Sequence, residues 1–336
     1  MRIAIHHREG SFSNEWIKLC EEKNIKYSVV NAFDNNIDCK ILDSNLFLWH
    51  FRHDNSVEKE FATKFITTLG KLGVETFPSC FDTNYYDNKV AQKYIMEFFD
   101  IKHAKYHYFI DKRKASLFLE NTEYPIVTKR STGSGSINVS LLKSKRKANK
   151  LLNKAFGKGL KTNKTTDRLK ILKNSERRDE WQKSLKILVK HFFYRSKLNM
   201  FREKGFILFQ EFVPKQTYDI RIVVVSNRAY CAKRLCPKGD FRASGIGRAL
   251  YGKNEIDIRF IQLAFESAKK MNVSLLAIDM VFDKRIESPV IVEISPLFSP
   301  SSMNPCEGYY TNELIWINDK TSPQYALLDL LISKNK

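Results

Sequence analysis

Hydrophobic runs alternate with amphipathic stretches over the first 80 residues. Short apolar runs that predict strands occur in RIAIHH, KYSVVNA, NLFLWHF and VETFP. Between them, apolar residues recur at helical spacing in SNEWIKLCEEKN and SVEKEFATKFITTLGKLG. Strands that alternate with helices predict a parallel sheet covered on both faces. The first strand is not followed by a glycine-rich turn, so the dinucleotide-binding fingerprint is excluded.

The pattern changes after residue 80. A helix is predicted within DTNYYDNKVAQKYIMEFFD, where apolar positions recur from Val90 to Phe99. A strand, a Gly/Ser-rich turn and a second strand follow in YPIVTKRSTGSGSINV, and three more strands in FILFQEFVP, YDIRIVVVS and AYCAKRL. The helix EIDIRFIQLAFESAKKMN then leads to two apolar strands in LLAIDMVFDKRIESPVIVEISPLFSP.

Positive charge is concentrated in one segment. The chain carries a net charge of +20, and residues 143–204 hold 21 Lys and Arg against five Asp and Glu. Its first part, KSKRKANKLLNKAFGKGLKTNKTTDRLK, is predicted to be too polar for a core, whereas Leu185, Leu188, Phe192 and Phe193 suit an amphipathic helix. Two interpretations stay open: a solvated basic face, or a surface that binds an anionic partner.

Composition narrows the class of protein. The apolar runs are shorter than the ~20 residues of a membrane-spanning helix. The first residues form a strand pattern rather than a leader, which predicts a cytoplasmic protein. Six scattered cysteines show no two-residue metal spacing, so free thiols are expected.

Two acids interrupt the last pair of apolar strands. Asp279 lies in the first strand and Glu293 in the second. A buried unpaired carboxylate costs several kcal/mol, so a cation is expected beside each. Mg²⁺ prefers carboxylate oxygens together with substrate phosphates, while a buried Arg or Lys is the alternative. We expect the two strands to be antiparallel neighbours with both acids facing one cleft.

A lysine and a glycine-rich turn offer a second element of chemistry. Lys129 ends a predicted strand just before the turn at residues 133–136. Backbone N–H groups of such a turn can approach a phosphate, and lysine supplies a point charge. An ordinary hairpin turn is the alternative interpretation.

The order of these pieces resembles the ATP-grasp family of carboxylate–amine ligases, particularly its ribosomal-protein glutamate ligase branch. Five motifs carry the resemblance over residues 80–305: YYDNKVAQKYIM, YPIVTKRSTGSGS, FILFQEFVPKQTYDIRIVVVSNRAYCAKR, GDFRASGIGRA and AIDMVFD with PVIVEISP. The first lobe resembles ATP-grasp proteins of capsule and surface-polysaccharide synthesis through two short motifs, WHF and FP. His50, Arg52 and His53 are expected either in the crevice at the carboxyl edge of the sheet or in a surface loop.

The resemblance implies an α/β (α+β ATP-grasp) fold in three parts. Residues 1–85 would form a small parallel-sheet lobe. Residues 86–208 would form the linker helix and first ATP-grasp subdomain, with a basic helical insertion at about 143–204. Residues 209–336 would form the C-terminal subdomain that carries the metal-binding strands.

The resemblance also implies a set of site residues. It assigns Lys89, Lys129 and Ser134 to the nucleotide, and the main chain of residues 210–213 to adenine (Gln210, Glu211, Phe212, Val213). Asp219 would lie near the ribose, and Arg221 and Arg234 would act in catalysis on phosphates or the acceptor carboxylate. Mg²⁺ would be held by Asp279, Glu293 and Ser295. The serine replaces the usual asparagine, so this ligand is expected to be weakened or moved to water or Asn304.

The implied function is an ATP-dependent ligase that uses ATP and two Mg²⁺ ions and forms an amide through an acylphosphate. Its acceptor would be a uronic acid of a surface polysaccharide, joined to an amino acid or small amine. An acidic peptide or protein tail as acceptor, and a non-catalytic scaffold with a basic arm for nucleic acid or membrane, are the alternatives. An anionic membrane surface at the inner membrane face and a homodimer remain open, and no specific nucleic acid is expected.

Overall fold

The first lobe is built on the predicted parallel sheet. The computed structural model describes residues 1–52, 55–133, 138–161, 202–237, 239–243 and 248–335. The sheet order is β2-β1-β3-β4, all strands parallel. The elements are β1 (Arg2–His6), α1 (Ser13–Glu22), β2 (Lys26–Val30), α2 (Cys39–Leu42), β3 (Leu46–Trp49), α3 (Ser56–Lys71) and β4 (Glu75–Phe77).

Two helices connect this lobe to the rest of the chain, α4 (Cys80–Tyr85) and α5 (Lys89–Phe98). Ser79 and Asp82 form a capping box at the start of α4. The side chain of Asn88 accepts the N–H of Ala91 and caps α5, so that Lys89 is the first residue of that helix.

The second unit is a four-stranded antiparallel sheet in the order β5-β10-β6-β7. Two helices pack on it through a core that includes Leu119, Leu152 and Phe209. The elements are β5 (Tyr106–Phe109), α6 (Lys112–Asn121), β6 (Ile126–Lys129), β7 (Ser140–Leu142), α7 (Lys145–Phe156), β8 (Leu160–Lys161), β9 (Arg202–Glu203) and β10 (Ile207–Glu211).

Helix α7 corrects the prediction for the start of the basic segment. Ala148, Leu152 and Ala155 are buried in the core of the second unit, while the lysines of α7 lie outward. Spacings of four and three residues place these three side chains on one face of the helix. Residues 145–156 are therefore part of the fold. The amphipathic helix predicted around Leu185 to Phe193 lies outside the described residues.

The third unit is a larger antiparallel sheet in the order β15-β14-β11-β12-β16-β17, with β13 paired to β12. Within the described ranges, no helix has the length and apolarity to cross a bilayer. The elements are β11 (Tyr218–Val225), β12 (Arg228–Leu235), β13 (Ala249–Leu250), α8 (Ile258–Met271), β14 (Leu275–Asp283), β15 (Ser288–Ser295), β16 (Tyr309–Thr311), β17 (Trp316–Ile317) and α9 (Pro323–Lys334), with 3₁₀ turns at Lys253–Glu255 and Pro300–Ser302.

Alternation along β11 assigns the two faces of this sheet. Ile222 and Val224 pack in the core that includes α8, whereas Val223 and Val225 pack in the core shared with α9 and the first lobe. The indole N–H of Trp16 in α1 donates to the carbonyl of Gln324 in α9 at 3.1 Å. Helix α9 therefore joins the first lobe to the third unit.

We predict that Leu152→Ala lowers the free energy of unfolding by about 2–5 kcal/mol, because it leaves a cavity under α7. Urea unfolding followed by circular dichroism measures the change. Lys154→Ala, on the exposed face of the same helix, is the matched control and should change stability by less than about 0.5 kcal/mol. Equal effects of the two substitutions would contradict the packing of α7.

Candidate active site

Asp279 and Glu293 lie directly opposite each other on the antiparallel strands β14 and β15. Opposite residues of an antiparallel pair project from the same face of the sheet. The expected strand arrangement is thus confirmed. The register shifts just beyond this pair, where Met280 pairs with Ile291 and Val292 is the extra residue of a β-bulge.

The acids lie on the face of the sheet that turns toward the first lobe. Leu275 and Ala277 of β14 pack in the core shared with that lobe, and Asp279 continues the same alternation. On β11, Arg221 follows the same rule with Val223 and lies opposite Asp279. The apolar alternation therefore brings the charged residues to one cleft.

Two arginines neutralise Asp279. Arg221 Nε donates to Asp279 Oδ1 at 2.7 Å, and Arg234 Nη2 lies 3.0 Å from the same oxygen. Burial alone would raise the pKa of Asp279, but the two guanidinium groups outweigh it and hold that pKa well below its usual range. The carboxylate is therefore ionised at neutral pH.

The two arginines are held differently. Arg234 donates through Nε and Nη2 to both oxygens of Asp219, at 2.6 and 2.7 Å, in the bidentate geometry that fixes a guanidinium. Arg221 uses Nε alone, and its terminal nitrogens make no hydrogen bond with the described residues. Arg234 is thus anchored, while Arg221 keeps donors for a ligand. Asp219 is the anchor of Arg234, and its place near the ribose stays a prediction.

Lys89 neutralises the second acid. Its Nζ donates to Glu293 Oε1 at 2.8 Å and lies 3.5 Å from Asp87 Oδ1. The lysine side chain is 2% exposed, whereas that of Glu293 is 25% exposed. Burial would lower the pKa of Lys89, but the two carboxylates together raise it. Lys89 is therefore a buried, charged group beside strand β15.

The two acids fit a divalent cation. In each carboxylate the protein cations contact one oxygen, Oδ1 of Asp279 and Oε1 of Glu293. The second oxygen of each makes no hydrogen bond with the described residues. Hard oxygen ligands that are left in this way, beside cations that suit phosphates, are the set that Mg²⁺ takes with a nucleotide.

The main-chain carbonyl of Val292, at the bulge, binds the second lysine, Lys129. Lys129 Nζ donates to the Val292 carbonyl at 3.0 Å and to the Tyr106 hydroxyl at 3.1 Å. The Tyr106 hydroxyl and Gln210 Nε2 donate to the same carbonyl. Burial lowers the pKa of Lys129 to about 8. Lys129 therefore lies beside Glu293 and titrates near physiological pH, and its assignment to the nucleotide stays a prediction.

The next predicted residues are the adenine hinge, residues 210–213, and Ser134 of the glycine-rich turn. The N–H of Glu211 donates to the Lys105 carbonyl at 2.9 Å, so it is already used within the fold. Gln210 is buried within the sheet and Phe212 and Val213 follow the strand end, so the contact of this stretch with a base stays a prediction. Ser134 lies outside the described residues.

Ser295 is turned back on its own chain. Its hydroxyl donates to the Leu297 carbonyl at 2.7 Å, and Asn304, the suggested substitute, accepts from Gln324 at 3.1 Å. Neither contact brings the side chain of Ser295 or Asn304 to the carboxylates of Asp279 and Glu293. The metal role of both stays a prediction, and the oxygens of Asp279 and Glu293 are the ones the geometry favours.

His50, which directly follows β3, is buried. The ring of His50 stacks on Phe12 with centroids 4.0 Å apart, and its Nδ1 accepts the N–H of Phe12 at 3.3 Å. The N–H of Arg52 donates to Glu58 at 3.0 Å. His50 follows β3 at the carboxyl edge of the sheet, and its burial rules out the surface loop. Its place in the crevice stays a prediction, and His53 lies outside the described residues.

Sequence reasoning missed three residues of the site, namely Tyr106, Asp87 and Glu203. Tyr106 is wholly buried against Lys129, and burial raises its pKa well above the usual value. Asp87 precedes Lys89 by two positions in the quoted YYDNK word, which was the available signal. Glu203 lies one residue before the end of the basic segment, and its partner Ser131 is 72 positions away, so no local pattern marks it.

Comparison with known proteins identifies a domain in the second half of the chain. Residues 183–303 match the RimK-like ATP-grasp domain. The chain is 31% identical over 147 residues to a phosphoribosylamine–glycine ligase of Fusobacterium nucleatum, a match that covers 43% of the chain and 32% of the relative. The match thus spans about a third of the length of that curated relative.

Solved structures share the fold over the whole chain. A RimK domain ATP-grasp protein of Sphaerobacter thermophilus is 12% identical, with a TM-score of 0.58 and 98% of each chain covered. D-alanine–D-alanine ligase of Bacillus anthracis, solved with ATP, is 13% identical, with a TM-score of 0.55, 100% of this chain and 98% of that chain covered.

Residues 183–303 therefore contain an ATP-grasp domain, and the whole chain shares its fold with the two solved proteins named above. Its ATP-grasp domain is of the RimK-like kind. The predicted fold class is thereby confirmed, and so is the resemblance to ATP-grasp proteins, while the domain boundaries and the individual site residues stay predictions.

We predict that ATP binding takes up a proton just above pH 8. Phosphates favour the charged form of Lys129, so its lowered pKa should rise on binding, and ATP affinity should fall as pH rises above about 8. Calorimetry in buffers of different ionisation enthalpy measures the uptake. Lys129→Arg stays charged throughout and should show no such uptake; equal uptake in both proteins would contradict the assignment.

Proposed function

We propose that the protein is an ATP-dependent carboxylate–amine ligase. The single observation that carries this proposal is the convergence of buried cations on a pair of carboxylates that each keep one oxygen for a metal. Lys89 and Arg221 contact Glu293 and Asp279 directly, and Lys129 is fixed one residue from Glu293. The phosphates of ATP would pair with the lysines and the arginine of this cleft, and the bound metal would pair with its two carboxylates.

Each residue has a physical task in the proposed reaction. Phosphoryl transfer needs positioning and neutralisation of charge on the phosphoryl oxygens, with no side-chain nucleophile. Lys89 and Lys129 would neutralise the nucleotide phosphates, and Arg221 would direct its terminal nitrogens to the transferred group or the acceptor carboxylate. Arg234, locked by Asp219, would hold Asp279 in place. Mg²⁺, held by Asp279 and Glu293, would neutralise phosphate charge.

The chemistry divides into two steps that balance without a further co-reactant. The acceptor carboxylate attacks the γ-phosphorus of ATP, ADP leaves, and an acylphosphate forms. The amine then attacks the acyl carbon, inorganic phosphate leaves, and the amine loses a proton. Preorganised cations favour the first step, because its negative charge develops where they already lie.

We propose an anionic acceptor, a uronic acid of a surface polysaccharide or its precursor. The supporting feature is charge: the chain carries +20 overall, and the exposed lysines of α7 extend this charge over the second unit. A positive field raises the local concentration of an anionic substrate. An acidic peptide would profit from the same field and is therefore part of the test below.

We predict that ATP with Mg²⁺ raises the unfolding temperature of the protein, because a ligand that binds the folded state stabilises it by mass action. Glu293→Gln should remove most of this shift, since it removes a proposed metal ligand and the partner of Lys89. Glu287→Gln, on the exposed turn of the same hairpin, is the matched control and should keep the shift. Absence of any shift in the unaltered protein would refute nucleotide binding.

We predict phosphate release from ATP that depends on both an acceptor and an amine. A screen of hexuronic acids and acidic peptides against a panel of amines measures it, with mass spectrometry of the amide product. Arg221→Lys should lower turnover by at least about tenfold, because lysine cannot reproduce a planar, multiply donating contact. Turnover with peptides alone would overturn the uronic acid, and salt-sensitive nucleic acid binding without turnover would favour a non-catalytic scaffold.

A further inference from the structure

Two buried acids fasten the backbone from which the glycine-rich turn departs. The N–H of Gly133 donates to Asp87 Oδ1 at 2.7 Å. The N–H and hydroxyl of Ser131 donate to Glu203 Oε1 at 2.9 and 2.6 Å. Asp87 is 6% exposed and Glu203 4%. A charged acceptor makes a stronger hydrogen bond than a neutral one, so both ends of this short stretch are firmly held.

The same oxygen of Asp87 also faces the first nucleotide lysine. Asp87 Oδ1 lies 3.5 Å from Lys89 Nζ, and the N–H of Lys89 donates to the Ser131 carbonyl at 2.9 Å. Asp87 therefore lies between two groups that are expected to meet phosphate, the turn backbone and the lysine. One displaced carboxylate would shift both.

Asp87 is itself held from the first lobe. Lys59 of α3 donates from Nζ to the Asp87 carbonyl at 2.8 Å and lies 4.0 Å from Asp87 Oδ2. Asp87 has a φ of +48°, a left-handed conformation that aspartate tolerates better than most residues. Lys59 thus fixes both the main chain and the carboxylate of Asp87.

We propose that Asp87 is a positioning residue of the nucleotide site, which sets the start of the glycine-rich turn and the place of Lys89 together. This inference rests on the proposed function. The proposed metal would take the second oxygen of Glu293 and draw charge from the carboxylate, which weakens its 2.8 Å contact to Lys89 through Oε1. Asp87 then keeps Lys89 in position beside the phosphates.

A buried acid close in sequence supplies the control. Asp82 is 5% exposed and accepts hydrogen bonds from Ser79 and Tyr85. These partners lie in α4 and its cap, so Asp82 stabilises that helix. Asp82→Asn should lower the unfolding temperature without touching the phosphate-binding groups.

The test compares Asp87→Asn and Asp87→Ala with Asp82→Asn and the unaltered protein. Calorimetry measures the Kd of ATP and of AMP, each with Mg²⁺ and well below the unfolding temperature. Asp87→Asn keeps an oxygen for Gly133 but loses the charge that faces Lys89, and it should weaken ATP binding about tenfold. Asp87→Ala loses both and should weaken it further. AMP, which lacks the β- and γ-phosphates, should change by less than about threefold.

The ratio of the two affinities distinguishes positioning from general stability. Asp82→Asn should leave the ATP-to-AMP ratio unchanged, while both Asp87 variants should lower it. An unchanged ratio in Asp87→Asn, in a protein whose unaltered form binds ATP, would overturn the positioning role alone. Failure of the unaltered protein to bind ATP would overturn the proposed function instead. If Asp87→Ala does not fold, the isosteric Asp87→Asn decides the question.

Discussion

The site depends on one constraint: two carboxylates, Asp279 buried and Glu293 half-buried, lie side by side on neighbouring strands. Asp279 is 5% exposed, and an uncompensated charge at such a place costs several kcal/mol. Arg221 of β11 and Arg234 of β12 meet this demand for Asp279, and Lys89 of α5 meets it for Glu293. A slip of one residue in β14 would turn Asp279 into the core under α8. The register of β14 is therefore fixed by its ion pairs as well as by the alternation of its apolar residues.

The site also requires that separate parts of the fold come together. The carbonyl of Val292, released by the bulge in β15, accepts from Lys129 of β6, Tyr106 of β5 and Gln210 of β10. The second unit is thereby tied to the third at the residue that precedes Glu293. Lys59 ties the first lobe to Asp87. Both ties end at groups beside the proposed phosphate position, so that position is defined only in the assembled chain.

Local patterns predicted much of this arrangement from the sequence. Alternating strands and helices predicted the parallel sheet of the first lobe, and the family resemblance assigned Lys89 and Lys129 to the same nucleotide site as the acid pair. Helix α7 was missed because its buried stripe is only Ala148, Leu152 and Ala155 among lysines, which leaves composition polar although the spacing is helical. The roles of Asp87 and Glu203 depend on partners 46 and 72 positions away, and no local period records such contacts.

The geometry separates two arginines that the motif alone treats as equal. Arg234 donates to Asp219 through Nε and Nη2, and the same Nη2 lies close to Asp279. Removing Arg234 would therefore leave two buried carboxylates without this partner. Arg221 makes one hydrogen bond and keeps its terminal nitrogens. In a cleft where charges are already paired, a substrate anion gains most from donors that are positioned but not used. Arg221 meets that condition, whereas Arg234 supports the carboxylate that would hold the metal.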